Sequence, residues 1–250
     1  MDYVYNFQLA ATKLLKFDAK GEFYIVEALC RPKKDGASTL LGTTNNHTRM
    51  VRMWTFYSVE DFYRMVDEIE NVCNANNARA YLLPQRRTTY GAMKSIMANA
   101  LKEIDCEQVN FNKFITSSLC GMHESPKKRW VIDVDYDDKT LLGYIRAKRV
   151  GTVEEHYNIV GKDLMDAAHE VFVNVRQRVE KCGSGNWDEV VYVPTANGCH
   201  IVTPPFNPNE CAKIQLPPMP EPFDPKWVKQ DAMTLLYAKR YDSEDDSEDE

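Results

Sequence analysis

Asp133 and Asp135 stand two residues apart in "KRWVIDVDYDD", residues 128–138, inside a run of strong strand formers. On a β-strand, residues i and i+2 point to the same face. The two carboxylates therefore share one face, while Trp130, Ile132 and Val134 share the other and can pack on a core. Ionised carboxylates held this close repel one another, and a cation compensates. Mg²⁺ suits that role, because it takes hard oxygen ligands from one or two carboxylates and leaves its remaining positions to water and phosphate. Mn²⁺ shares the preference for oxygen. The same residues also fit a simpler arrangement, a strand running into a solvated acidic turn made of Asp137, Asp138 and Lys139.

A second group of residues extends the chemistry. His200 follows Asn197-Gly198 in "DEVVYVPTANGCHIVTPPF", where two apolar runs flank a strong hairpin signal. Gly198 permits close backbone approach, and an imidazole with neighbouring backbone N–H groups suits phosphate oxygens. Basic residues cluster twice. "PQRRTTY" places Arg86 and Arg87 in the loop after a strand, and "PKKRW" places Lys127, Lys128 and Arg129 directly before the acidic strand. Such clusters interleaved with aromatics are expected to track a nucleic-acid backbone; each also reads as a solvated loop.

The elements that must position these groups fall into two halves. In the first, "GEFYIVEALC" and "TRMVRMWTFY" read as strands, and Ser58 with Asp61 has capping-box spacing. The helix that follows sets Phe62, Met65, Val66, Ile69 and Val72 on one stripe. "ARAYLLP" is a third strand, and a helix after "TTYGA" should bury Met93, Ile96, Met97, Ala100, Leu101 and Ile104. Residues 1–105 thus read β-β-α-β-α, an N-terminal α/β module, and residues 106–128 form a connection. The second half, 129–241, opens with the acidic strand and continues with "TLLGYIRAKRV" as another strand. A long helix carries Leu164, Ala168, Val171, Phe172, Val175 and Val179 on its face. The hairpin follows, ended by Pro204 and Pro205, and "VKQDAMTLLYA" is a last strand. The pattern is β-β-α-β-β-β, an α+β arrangement with a helix across one sheet.

Composition narrows the class. The chain has 250 residues and a formal net charge of −6, enough length for one large domain or two small ones. Seven of its last nine residues are acidic, so without that tail the chain is near neutral. Residues 242–250 hold no apolar side chain and are expected to be disordered. They solubilise the chain, compete with nucleic acid for a basic groove, or accept phosphate at Ser243 or Ser247. No apolar run reaches the ~18 residues of a membrane span, and the N-terminus lacks signal-peptide order. Seven scattered cysteines without a C-x-x-C pair speak against a zinc knuckle and for reduced thiols in the cytoplasm.

The order of these motifs resembles that of the archaeo-eukaryotic primase superfamily, the primase-polymerases and their small viral and phage relatives. That family carries a strand-borne D-x-D or D-x-E, a small-x-His on a later strand, and a final hydrophobic-Asp. "VIDVD" matches the first at Asp133 and Asp135. "GCH" matches the second at Gly198, Cys199 and His200, with Gly where Ser is common. For the third, "FDP" offers Asp224, and "WVKQDAMTLLY" offers Asp231 on a better strand; Asp231 is preferred.

The resemblance covers most of residues 1–240. It implies an N-terminal α/β module ahead of an RRM-like catalytic sheet with helices packed on it. It also implies a metal-dependent nucleotidyltransferase of DNA replication. Asp133, Asp135 and Asp231 would hold two Mg²⁺ or Mn²⁺ ions that activate a primer 3′-hydroxyl and stabilise the pyrophosphate leaving group. His200, with Gly198 and Arg129, would hold the incoming nucleoside triphosphate. The partners implied are single-stranded DNA or a primer-template, nucleoside triphosphates and a separate helicase, with no membrane; in a viral member the compartment would be the host cytosol. D-x-D also serves two-metal nucleases and sugar-nucleotide transferases, and a non-catalytic replication accessory protein would keep the same residues as a relic.

Overall fold

The computed structural model describes residues 3–30, 48–102, 118–119, 128–149, 161–182, 186–214, 223–229 and 232–239. It is a mixed α+β protein that divides into two compact units, one of residues 1–128 with 236–250 and one of residues 129–235.

The first unit is built on a sheet of order β1-β9-β4-β2-β3. Its strands are β1 (Tyr3–Tyr5), β2 (Glu22–Cys30), β3 (Arg49–Phe56), β4 (Arg79–Thr88) and β9 (Thr234–Lys239), although the first two residues of β9, Thr234 and Leu235, belong to the second unit. β2 pairs antiparallel with β3 and β4. The register slips between Phe23 and Ile25, where Arg87 and Leu83 are the successive partners. The irregularity accommodates Pro84, which has no N–H to give a ladder. Helix α1 (Phe7–Leu9) continues as a π-turn over Ala10–Leu14 and buries Phe7, Leu14 and Leu15. Helix α2 (Val59–Asn76) starts where Ser58 Oγ accepts the Asp61 N–H at 3.0 Å and ends at Asn77 in the left-handed region, φ 48°. Of its expected stripe Phe62, Val66 and Ile69 are buried and Met65 and Val72 half-buried, and Cys73 joins the buried face.

Helix α3 (Thr89–Lys102) corrects one expectation. Met93, Met97 and Leu101, read as its core face, are exposed, while Gly91 is buried and Ile96 half-buried. Ala100, expected on the same face, is exposed as well, and the half-buried Asn99 donates from Nδ2 to Ser118 Oγ at 3.0 Å. Ile104 lies outside the described residues.

The second unit carries a four-stranded antiparallel sheet of order β6-β7-β5-β8. Its strands are β5 (Trp130–Asp135), β6 (Val191–Pro194), β7 (Gly198–Thr203) and β8 (Val228–Lys229). "TLLGYIRAKRV", read as a strand, is instead helix α4 (Lys139–Arg149). Asp138 explains this: its Oδ1 accepts the Leu141 N–H and its carbonyl the Leu142 N–H, so it caps a helix. Leu141 and Ile145, four residues apart, then meet the core. Helix α5 (Gly161–Lys181) lays Ala168, Val171, Val175 and Val179 on the same core as Ile132, Val134 and Ile201, as its spacing requires. A further helix, α6 (Pro208–Lys213), is capped by Asn207.

Two more readings change. Cys182, just past α5, and Cys211, in α6, form a disulfide pair with Cα atoms 6.6 Å apart, where reduced thiols were expected. "VKQDAMTLLYA" is two strands in two sheets: β8 pairs with β5, whereas β9 pairs with β1. The expected second half of 129–241 therefore gives up its last strand to the first sheet.

Candidate functional site

β5 does what its period promises. Ile132 and Val134 are fully buried in the core, and the alternate residues Asp133 and Asp135 occupy the opposite face, half-buried and exposed. Val131, at the start of that face, is buried, so the face opens toward the carboxyl end of the strand, where the acids are.

β7 supplies the partner. The hairpin closes with the Thr195 N–H donating to the Gly198 carbonyl at 3.0 Å, and the antiparallel register then sets Asp133 opposite His200 and Asp135 opposite Gly198. Residues directly opposite share a face, which brings imidazole and carboxylate together: His200 Nε2 lies 3.3 Å from Asp133 Oδ1. The Asp133 side chain keeps 41% of its surface exposed and His200 14%. On its other side, His200 Nδ1 lies 3.2 Å from Thr234 Oγ1 and 3.3 Å from the Leu235 amide nitrogen.

Gly198 is required here by a neighbouring strand. A Cβ at this position would stand 2.0 Å from the Val134 carbonyl oxygen and 3.0 Å from the Asp135 Cα. No side chain fits while β5 and β7 keep their register, so the glycine sets the approach that aligns His200 with Asp133. Cys199, between them in sequence, points the other way into the core. Burial pushes its thiol up to about 12, which leaves it protonated and inert at neutral pH.

The electrostatics are lopsided. The Asp135 carboxyl is raised above its ordinary 3.8, first by partial burial, then by the charges of Asp133 and Asp137, with His200 acting in the opposite sense and Asp138 adding a little. Two hard-oxygen donors on one face, in a negative field, fit a divalent ion that completes its shell with water and phosphate. Among the described residues no group of three or more His, Cys, Asp or Glu is arranged to hold a metal, so the protein would supply Asp133 and Asp135 as its described ligands.

The other sequence candidates are dispersed. Asp231 and Lys127 lie outside the described residues. Asp224 caps the short turn Pro225–Trp227, its Oδ1 accepting the Lys226 N–H at 2.9 Å. β8 follows that turn and pairs with Val131 and Ile132, toward the start of β5 rather than the acid end. Lys128 is exposed, but Arg129 is buried and donates to the Glu189 carbonyl at 3.4 Å.

Arg86 and Arg87 are corrected in position. They lie within β4, not in a loop after it, and both are buried. Arg86 Nη1 contacts Asp18 Oδ2 at 2.7 Å and the Lys16 carbonyl at 3.1 Å, and its Nε faces Glu22 Oε1 at 3.3 Å. Arg87 donates to the carbonyls of Leu119 and Gln85. Both guanidinium groups are engaged by the chain itself.

Sequence reasoning overlooked Thr234. In "AMTLLYA" a threonine reads as an ordinary strand former, and its place beside a histidine 34 residues earlier follows from tertiary pairing.

The chain matches no family model, no curated protein and no solved structure. The functional reading therefore rests on the site. Among the described residues no helix is long and apolar enough to cross a membrane.

Proposed function

We propose that the protein is a metal-dependent nucleotidyltransferase of primase-polymerase type, acting on primed or single-stranded DNA. The observation that carries the proposal is the pairing of Asp133 and Asp135 on β5 with His200 and Gly198 on β7. It sets two carboxylates and an imidazole on one partly open face.

Asp133 and Asp135 would hold Mg²⁺ or Mn²⁺, which when bound offsets phosphate charge and makes a hydroxyl at the site more acidic. Asp135, whose carboxyl is raised first by partial burial and then by the charges of Asp133 and Asp137, would gain most from a cation. Asp133 would serve the ion and, 3.3 Å from His200 Nε2, orient the imidazole as well. His200 Nε2, on the same face as the acids, would share its proton between Asp133 and a phosphate oxygen of the incoming nucleotide, and its position on a strand fixes that donor more closely than a loop would. Nucleotide selection beyond the triphosphate falls to groups other than these three, and Arg86 and Arg87, engaged by groups of their own unit, contribute to its fold.

The test is incubation of the full chain with a primed single-stranded template, labelled nucleotides and Mg²⁺ or Mn²⁺, beside Asp133→Asn. Metal-dependent products longer than the primer, missing in the variant, support the proposal. Shortened strands assign the site to a nuclease, and strand binding that is indifferent to chelator with no product assigns it to a binding protein.

A further inference from the structure

We infer that Thr234, with the backbone amide of Leu235, is a positioning residue that holds the His200 ring with Nδ1 bare and its proton on Nε2, turned to the acidic face where the triphosphate would bind. The nucleotide part of this inference rests on the nucleotidyl-transfer reading above; the tautomer part rests on geometry alone.

The argument begins at Nδ1. A backbone N–H can only donate, and the Leu235 amide nitrogen lies 3.3 Å from His200 Nδ1. Nδ1 must therefore be the bare nitrogen. Thr234 Oγ1, 3.2 Å from the same atom, then has one role open toward it, because a hydroxyl facing a bare ring nitrogen donates. Two donors share one in-plane lone pair, a three-centre arrangement. With Nδ1 bare, the ring proton is left on Nε2, the atom 3.3 Å from Asp133 Oδ1. Tautomer and ring orientation are set together, because the partner at one nitrogen decides the state of the other.

Burial sharpens the assignment. Thr234 is 1% exposed, so bulk water does not replace its hydroxyl. The alternative tautomer would aim an Nδ1 proton at the Leu235 N–H and leave a bare Nε2 against a carboxylate, two repulsive contacts in place of two attractive ones, with the Thr234 hydroxyl obliged to turn from donor to acceptor. Thr234 touches none of the reacting atoms; it acts through the ring. Its effect belongs in nucleotide affinity rather than in turnover.

The deciding experiment uses ¹⁵N-labelled full-length protein in long-range ¹H–¹⁵N correlation spectra, for wild type, Thr234→Val and Thr234→Ser, with nucleotide KM and kcat for each. The expected wild-type His200 pattern is protonated Nε2 and bare Nδ1. Thr234→Val is expected to blur that pattern and raise nucleotide KM about three- to tenfold, the scale of one lost hydrogen bond, with kcat nearly unchanged. Thr234→Ser, which keeps the hydroxyl, restores both. An Nδ1–H pattern in wild type overturns the inference even if the valine variant fails to fold. So does a valine variant with unaltered spectrum and KM. Wild-type protein that shows the Nε2–H pattern but incorporates no nucleotide upholds the positioning and overturns the nucleotidyl-transfer reading instead.

Discussion

Two clusters of charge, one in each unit, both sit on strands and are treated in opposite ways. In the first unit Arg86 of β4 meets Glu22 of β2, with side-chain exposures of 8% and 6%. Glu22 Oε2 also accepts the N–H groups of Asp18 and Ala19. Opposite signs, hydrogen bonds and burial close that cluster on itself. In the second unit Asp133 and Asp135 share a sign, share a face and stay partly exposed, and His200 opposite them is held by Thr234 and Leu235. A closed cluster contributes to the fold. An open one of a single sign is a cost to the fold that a bound cation would relieve, and that contrast is why β5 rather than the arginines is the proposed place for chemistry.

The largest expected effect comes from opening the closed cluster. Arg86→Met leaves Glu22 buried without its cationic partner, and such losses cost about 3–5 kcal/mol; urea unfolding measures it. Preserved stability would show that the cluster is no more self-sufficient than the acidic one.

Removing a charge from the open cluster should do the reverse. Asp133→Asn is expected to lower nucleotide incorporation by roughly a hundred- to a thousandfold, the scale of losing one preorganised electrostatic contact. Its melting temperature should not fall, because like-charge repulsion is relieved. Mg²⁺ should raise the melting temperature of the wild type by preferential binding to the folded state and leave the variant unmoved.

Gly198→Ala tests whether the alignment of the open cluster depends on strand approach. The new Cβ would collide with the Val134 carbonyl. About 1–3 kcal/mol of destabilisation is expected, as for other overpacked sites, with loss of the Asp133–His200 contact visible in the His200 ring signals.

The smallest effect is a pH dependence. The folded Asp135 pKa is raised, so the native state holds that proton more tightly than the unfolded chain. The resulting stabilisation is present in acid and is lost as pH rises through the folded pKa. Asp135→Asn should therefore gain stability relative to wild type as pH climbs above the ordinary carboxylate range, a difference seen by thermal melts in metal-free buffer. A constant difference across pH would mean that Asp135 is not crowded.

Much of the site was legible in one dimension because it is local. The alternation of Trp130 to Asp135 sets which side chains share a face, and Asn197-Gly198 sets a hairpin that ends beside His200. The stripes of α2 and α5 were readable for the same reason. "TLLGYIRAKRV" was misread because its β-branched and aromatic residues mimic a strand, while the deciding residue, Asp138, precedes the run and acts as a cap. Arg86 and Arg87 were misplaced because a proline before them suggested a loop, and the irregular register opposite Pro84 is invisible without β2.

The sequence by itself determined that Asp133 and Asp135 stand together on one face of a strand, since the period of two is a property of the backbone and needs no partner. It also determined the tight turn before His200, a preference of Asn-Gly built into local dihedral angles. Only the tertiary structure decided that Asp133 faces His200 and that Gly198 has no room for a side chain. It likewise decided that Thr234 reaches His200 and that Arg86 closes on Glu22. Each of these pairings joins residues far apart in the chain, and it is the strand register and the packing of the cores, rather than any local preference, that bring them within hydrogen-bonding distance.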